Sequence, residues 1–77
     1  MVREVRIENG KLFYEKRWFR RGQTVHVEAA AEATYEAVIS AVGNEAIWVR
    51  RQEDSTKQKI CITQLTKGKI LLKRRAP

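Results

Sequence analysis

Between Gly10 and Arg21 the chain reads Gly-Lys-Leu-Phe-Tyr-Glu-Lys-Arg-Trp-Phe-Arg-Arg. Four of its six aromatic residues and five of its sixteen Lys and Arg fall in these twelve positions. Aromatic faces stack on bases and guanidinium groups pair with phosphates, so the run has the chemistry to contact a nucleic acid. The rings have a second use. Phe13, Tyr14, Trp18 and Phe19 are among the largest apolar side chains of a 77-residue protein, and a core this small needs some of them. The cations are less ambiguous. An Arg buried without a partner is costly, so Lys16, Arg17, Arg20 and Arg21 are expected to face water or a polyanion.

Basic residues recur further on, where predicted strands meet loops. Arg50 and Arg51 end one strand, and Lys57 and Lys59 share one face of the next, because strand side chains alternate. Whichever of Arg50 and Arg51 points outward would continue a stripe with the two lysines. Like charges facing each other across strands oppose folding, and a polyphosphate laid on them would relieve that repulsion and release counterions. A merely solvated face is the alternative. Lys73 and Arg74 open the basic C-terminal end and complete the set of candidate nucleic-acid contacts.

Catalysis finds no footing. His26 is the only histidine and alternates away from Val25 and Val27, so it is expected to face outward. One His and one Cys cannot complete a tetrahedral metal site. The acids are scattered, with no pair spaced for acid–base work and no Gly-rich phosphate loop. The sequence therefore predicts no enzyme, no metal and no cofactor. Cys61, standing alone between Ile60 and Ile62, rules out an intramolecular disulfide and fits a reducing compartment. No apolar run is long enough to span a membrane, and no secretory h-region is present. Sixteen basic against nine acidic residues, a net charge of +7, favour a polyanionic partner, with solubility as the bland alternative.

The elements that must position these groups are short strands. Val5 and Ile7 alternate with Glu4, Arg6 and Glu8, and Asn9-Gly10 is a strong two-residue hairpin turn, with Leu12 to Phe19 as the returning arm. Strands are expected at Thr24 to Glu28, Thr34 to Val42, Ala46 to Arg51, Lys57 to Ile62 and Ile70 to Leu72. A loop spans Ala29 to Ala33, a hairpin tip Gln52 to Thr56, and one helical turn Thr63 to Gly68. This order predicts an all-β fold: a small five-stranded SH3-like (Tudor) barrel capped by an N-terminal β-hairpin. Residues 1–23 form the cap, 24–73 the barrel and 74–77 a flexible basic tail, together one folded unit. Trp48, between inward Ile47 and Val49, is expected on the outside, packed under the hairpin rather than stacked on a base.

The block from Gly10 to Thr24, the stretches Ala37 to Ser40 and Glu45 to Arg50, Asp54 to Lys57 and Gln64 to Gly68 resemble a known family. It is the suppressor-of-defective-silencing and breast-cancer-metastasis-suppressor family, in its C-terminal segment. The likeness covers roughly Arg6 to Arg75, and Ser40 to Gly43 with the Lys73-Arg74-Arg75 end leans toward the defective-silencing branch. The alanine-rich stretch Ala29 to Ala33 departs from the family. The resemblance implies a capped Tudor domain from a subunit of the nuclear Sin-type histone deacetylase corepressor. It implies binding to DNA or RNA, including G-quadruplexes, in place of methylated histone tails. The family's coiled-coil and corepressor-docking segments lie upstream, so one monomeric domain of a longer protein is expected. A protein–protein module within the complex and, behind it, a methylated-histone reader are the competing functions.

Overall fold

The computed structural model describes residues 3–75. Its elements are β1 (Val5–Glu8), β2 (Lys11–Tyr14), β3 (Arg17–Phe19), β4 (Thr24–Ala29), β5 (Tyr35–Val42), β6 (Ala46–Arg51), β7 (Lys57–Cys61), α1 (Ile62–Thr66) and β8 (Ile70–Arg74). Strands β1-β2-β3 form an antiparallel three-stranded sheet, and a five-stranded sheet has the order β7-β6-β5-β4-β8. Two hairpin turns build the first sheet. Asn9 and Gly10, at φ 51° and 74°, make the expected turn. Glu15 and Lys16 make a second at φ 52° and 64°, so the arm expected as one strand from Leu12 to Phe19 breaks in two. Both residues of such a tight turn need positive φ, which Asn-Gly supplies readily and Glu-Lys does not.

The expected barrel is not there. The five-stranded sheet stays open, because β7 and β8 stand at its opposite ends and do not pair with each other. Burial explains why closure is unnecessary. The inner face presents Val25, Val27, Ile39, Val49, Ile60 and Leu72, and all are buried. Leu12, Tyr14 and Phe19 of the small sheet join them in one cluster, with Leu65 of α1. A second sheet thus covers the apolar surface that curling would have covered. The cap is therefore one of the two packed layers, holding half of the sandwich rather than plugging a barrel end.

The connection after β3 fixes the layers together. Gly22 N donates to Ile39 O at 2.8 Å and Ile39 N to Gln23 O at 2.9 Å, pinning the linker onto β5. At the other end, Gln64 Oε1 accepts from Cys61 N at 2.9 Å and starts the single turn of α1. Gly68, at φ 74°, then turns the chain into β8. That strand runs to Arg74, one residue into the stretch expected as tail, while Ala76 and Pro77 lie outside the described residues.

Candidate nucleic-acid interface

Alternation puts Trp48 and Arg50 of β6 on the sheet face opposite the core, since Ile47 and Val49 are buried. The β6–β7 register sets Arg50 against Lys57 and Trp48 against Lys59. Three cations and an indole therefore occupy one outward patch. Lys59 Nζ lies 5.8 Å from the Trp48 ring centroid, a loose cation–π contact. Arg50 Nη1 donates to Ser55 O at 3.3 Å in the connecting turn. Among the described residues, none of the three cations forms an ion pair with a carboxylate. Asp54, at the tip of the same hairpin, accepts from Thr56 N at 3.0 Å and Thr56 Oγ1 at 2.7 Å. Those donors, the backbone N–H first, hold its carboxyl below the ordinary aspartate range. It is spent on shaping the turn.

Trp48 does not pack under the N-terminal sheet as the sequence suggested. It lies on the far face and closes over the β5–β6 turn, where a Cβ on Gly43 would come within 2.9 Å of its ring. Having no Cβ, Gly43 leaves the indole room to approach the turn. The exposed indole is Trp18, at 43%. It belongs to the outer face of the small sheet, beside Phe13 at 4.9 Å between centroids. In the same run Tyr14 and Phe19 point the other way and are buried. Strand alternation thus divides the four rings evenly between core and surface.

The remaining predicted contacts scatter. Arg51 faces the core side, its guanidinium 4.0 Å from the Tyr35 ring centroid and 3.2 Å from Glu32 Oε2. Burial raises the Tyr35 hydroxyl above its ordinary value, with Arg51 opposing the shift. Tyr35 and Trp48 lie on opposite faces, each with its own cation over it, so they build no aromatic cage. Lys16 sits in the β2–β3 turn, and Arg20 and Arg21 are exposed on the linker to β4, where Arg20 N donates to Gln23 Oε1 at 2.6 Å. Arg17, Lys73 and Arg74 meet elsewhere, in a groove of about 400 Å³ that also receives Arg3. No local pattern points to Arg3, because only the packing of two sheets brings it there. The middle of the outer face breaks the positive stripe: Lys73 pairs with Glu28 at 2.9 Å and Arg75 with Glu36 at 3.6 Å. Among the described residues, no group of three or more His, Cys, Asp or Glu is placed to hold a metal.

No family model matches the chain. Curated relatives do. A segment of the mouse Sin3 histone deacetylase corepressor complex component SDS3 is 44% identical over 73 residues, covering 95% of this chain and 22% of that protein. The breast cancer metastasis-suppressor 1-like protein of Xenopus tropicalis is 40% identical over 68 residues, 88% of this chain and 21% of its own length. Its chicken counterpart is 35% identical over 72 residues, 94% and 22%. The chain thus spans about a fifth of the length of these relatives. It is a homologue, over nearly its whole length, of the segment that the SDS3 and breast-cancer-metastasis-suppressor proteins have in common with it.

Proposed function

We propose that this domain is a non-enzymatic interaction module of a nuclear Sin3-type histone deacetylase corepressor subunit, and that its β6–β7 face contacts nucleic acid. The relatives named SDS3 are components of such a complex, which supports the first half. The second half rests on one observation: Arg50, Lys57 and Lys59 share one outward face with Trp48, and among the described residues no carboxylate is paired to any of them. Phosphates are the natural counterions for such a patch. Contacts of this kind position a backbone without reading sequence, so affinity should fall steeply with salt.

Labelled duplex, single-stranded and G-quadruplex DNA, with an RNA strand beside them, titrated at several salt concentrations, test the reading. The expected result is binding that weakens as salt rises, with a ranking that shows whether nucleic-acid shape matters. Absence of binding at low salt would remove the nucleic-acid half. A second reading, docking to another protein of the complex, is favoured by exposed Trp18 and neighbouring Phe13. Their companion Arg6 is already neutralised by Glu4 and Glu8. Aromatics with balanced charge are the composition of protein contact surfaces.

A further inference from the structure

We propose that the groove between β3 and β8 docks an extended acidic peptide segment of a partner protein, whose carboxylates meet Arg17 and Arg74. The inference stands apart from the nucleic-acid reading, because it concerns the seam between the sheets and not the β6–β7 face. Each wall of the seam is the end strand of its sheet: among the described residues, no further strand pairs with β3 or with β8. Such edges keep backbone donors and acceptors for a peptide backbone. The groove follows β8 from Leu71 to Arg74. Four residues of strand extend about 13 Å, which suits a short extended segment.

Charge decides what kind of segment. Arg3, Arg17, Lys73 and Arg74 line the groove against a single carboxylate, Glu15. Arg3 Nε is bound to Glu15 at 3.1 Å and Lys73 to Glu28 at 2.9 Å. Arg17 and Arg74 have no ion-pair partner among the described residues. Both are exposed, so they can turn into the groove without disturbing the core.

Two features favour peptide over nucleic acid. The floor contains Tyr14, Phe19 and Leu72, all buried, and the two rings are tilted 58° at 6.1 Å, so neither offers a free face to a base. The Tyr14 hydroxyl lies at the Leu72 backbone, which ties the floor of the groove to β8. The flanking edge groups are what a peptide backbone, unlike a sugar–phosphate chain, complements from both donor and acceptor sides.

The full chain is tested by fluorescence anisotropy with a labelled short peptide alternating aspartate and valine, and with a labelled oligothymidine strand. The expected result is peptide binding at low salt that weakens at least about tenfold in Arg17→Glu/Arg74→Glu, as loss of charge-assisted contacts predicts. The same peptide should bind Lys57→Glu/Lys59→Glu as it binds the parent, while the oligothymidine shows the opposite pattern. Circular dichroism checks the fold, and Arg17→Gln/Arg74→Gln replaces the reversal if it disturbs β3. Equal loss of peptide in both double variants would reduce the effect to net charge and overturn the proposal, as would no binding at low salt. Oligothymidine that displaces the peptide and loses affinity with Arg17→Glu/Arg74→Glu would hand the seam to nucleic acid instead. Failure of the β6–β7 reading is separate: it shows as oligothymidine binding that ignores Lys57 and Lys59.

Discussion

Each sheet carries a cation against an indole on its outer face, and the two are treated oppositely. On the small sheet, register aligns Arg6, Phe13 and Trp18 across the three strands. The Arg6 guanidinium lies 4.3 Å from the Phe13 centroid and 5.7 Å from that of Trp18. Glu4 and Glu8 hold it from either side, with Arg6 Nε 2.7 Å from Glu8 Oε2. On the large sheet Lys59 lies over Trp48 and, among the described residues, forms no ion pair although Glu45 lines the same hollow, while Arg50 faces Lys57 directly. The difference lies in residues two apart along one strand. Glu-x-Arg-x-Glu neutralises its own face, whereas Lys-x-Lys accumulates charge on its face. Net charge therefore does not say which face is positive; the acids sharing a strand face do.

Both faces belong to one cooperative unit only if the two sheets fold together, and Phe19 tests that most severely. Its buried ring comes from the small sheet yet sits in the same cluster as Ile39 and Val49 of the large one. Phe19→Ala should cost about 3–5 kcal/mol. Domains of this kind have about 5–15 kcal/mol in total, so the variant should be largely unfolded by mild denaturant, both sheets melting in one transition. Two separate transitions, by circular dichroism and by Trp48 fluorescence in a Trp18→Phe background, would show that the layers fold independently.

Charge reversal is the next largest effect. Lys57→Glu with Lys59→Glu should weaken nucleic-acid binding about tenfold or more and lower the salt slope by about 2, one for each lost phosphate contact. Stability should change by less than about 0.5 kcal/mol, because both side chains are exposed and an Arg50–Lys57 repulsion is removed. Arg6→Ala removes a cation of the same sign from the other indole-bearing face. It should leave both affinity and slope where they were. If Arg6→Ala weakens binding as much as the lysine pair does, pairing with Glu4 and Glu8 does not silence a cation, and the contrast between the faces collapses.

The two turns of the small sheet differ from each other on a finer scale. Asn9-Gly10 and Glu15-Lys16 have the same positive-φ backbone, but only the first has residues suited to it. Lys16→Gly should stabilise the domain by about 1 kcal/mol, the cost of a left-handed non-Gly residue less the entropy of glycine. Denaturant midpoints would register it. The same contrast explains what was legible. Asn9-Gly10 announces itself, and clean alternation marks β4 to β7, with Ile47, Val49 and Ile60 inward as read. The β2–β3 turn was invisible, because tertiary pairing imposes it on residues that do not prefer it. Sheet closure is not legible for a related reason: alternation says which face is buried and nothing about what buries it. Among the candidate contacts, facing could be read for Lys57 and Lys59, and inward Ile47 and Val49 put Arg51 on the core side by the same alternation; its contacts with Tyr35 and Glu32 could not be read. The seam of Arg3, Arg17 and Arg74 joins the two ends of the described chain with its first sheet, a juxtaposition no local pattern encodes.

The smallest effect distinguishes two tyrosines, one at the seam and one at the rim. Burial pushes the Tyr14 hydroxyl above 10, with the Leu72 backbone hydrogen bond opposing it. Burial also raises Tyr35, with Arg51 as the leading opposing influence. For either group the folded state holds its proton more tightly than the unfolded chain, whose tyrosines ionise near 10. Stability from this source is therefore complete below about pH 10, and it is lost as pH rises toward the folded value. Tyr14→Phe removes the hydroxyl and its bond to Leu72, costing about 1 kcal/mol at neutral pH. It also removes the alkaline loss. The gap in urea midpoint between Tyr14→Phe and the parent should accordingly narrow as pH is raised from about 7 to about 11. Tyr35→Phe, which removes the hydroxyl but keeps the ring under Arg51 and the Arg51–Glu32 pair, serves as the comparison. A Tyr14→Phe gap that stays constant with pH would mean that the hydroxyl is not kept from ionising by burial, and that water reaches the floor of the seam between the two sheets.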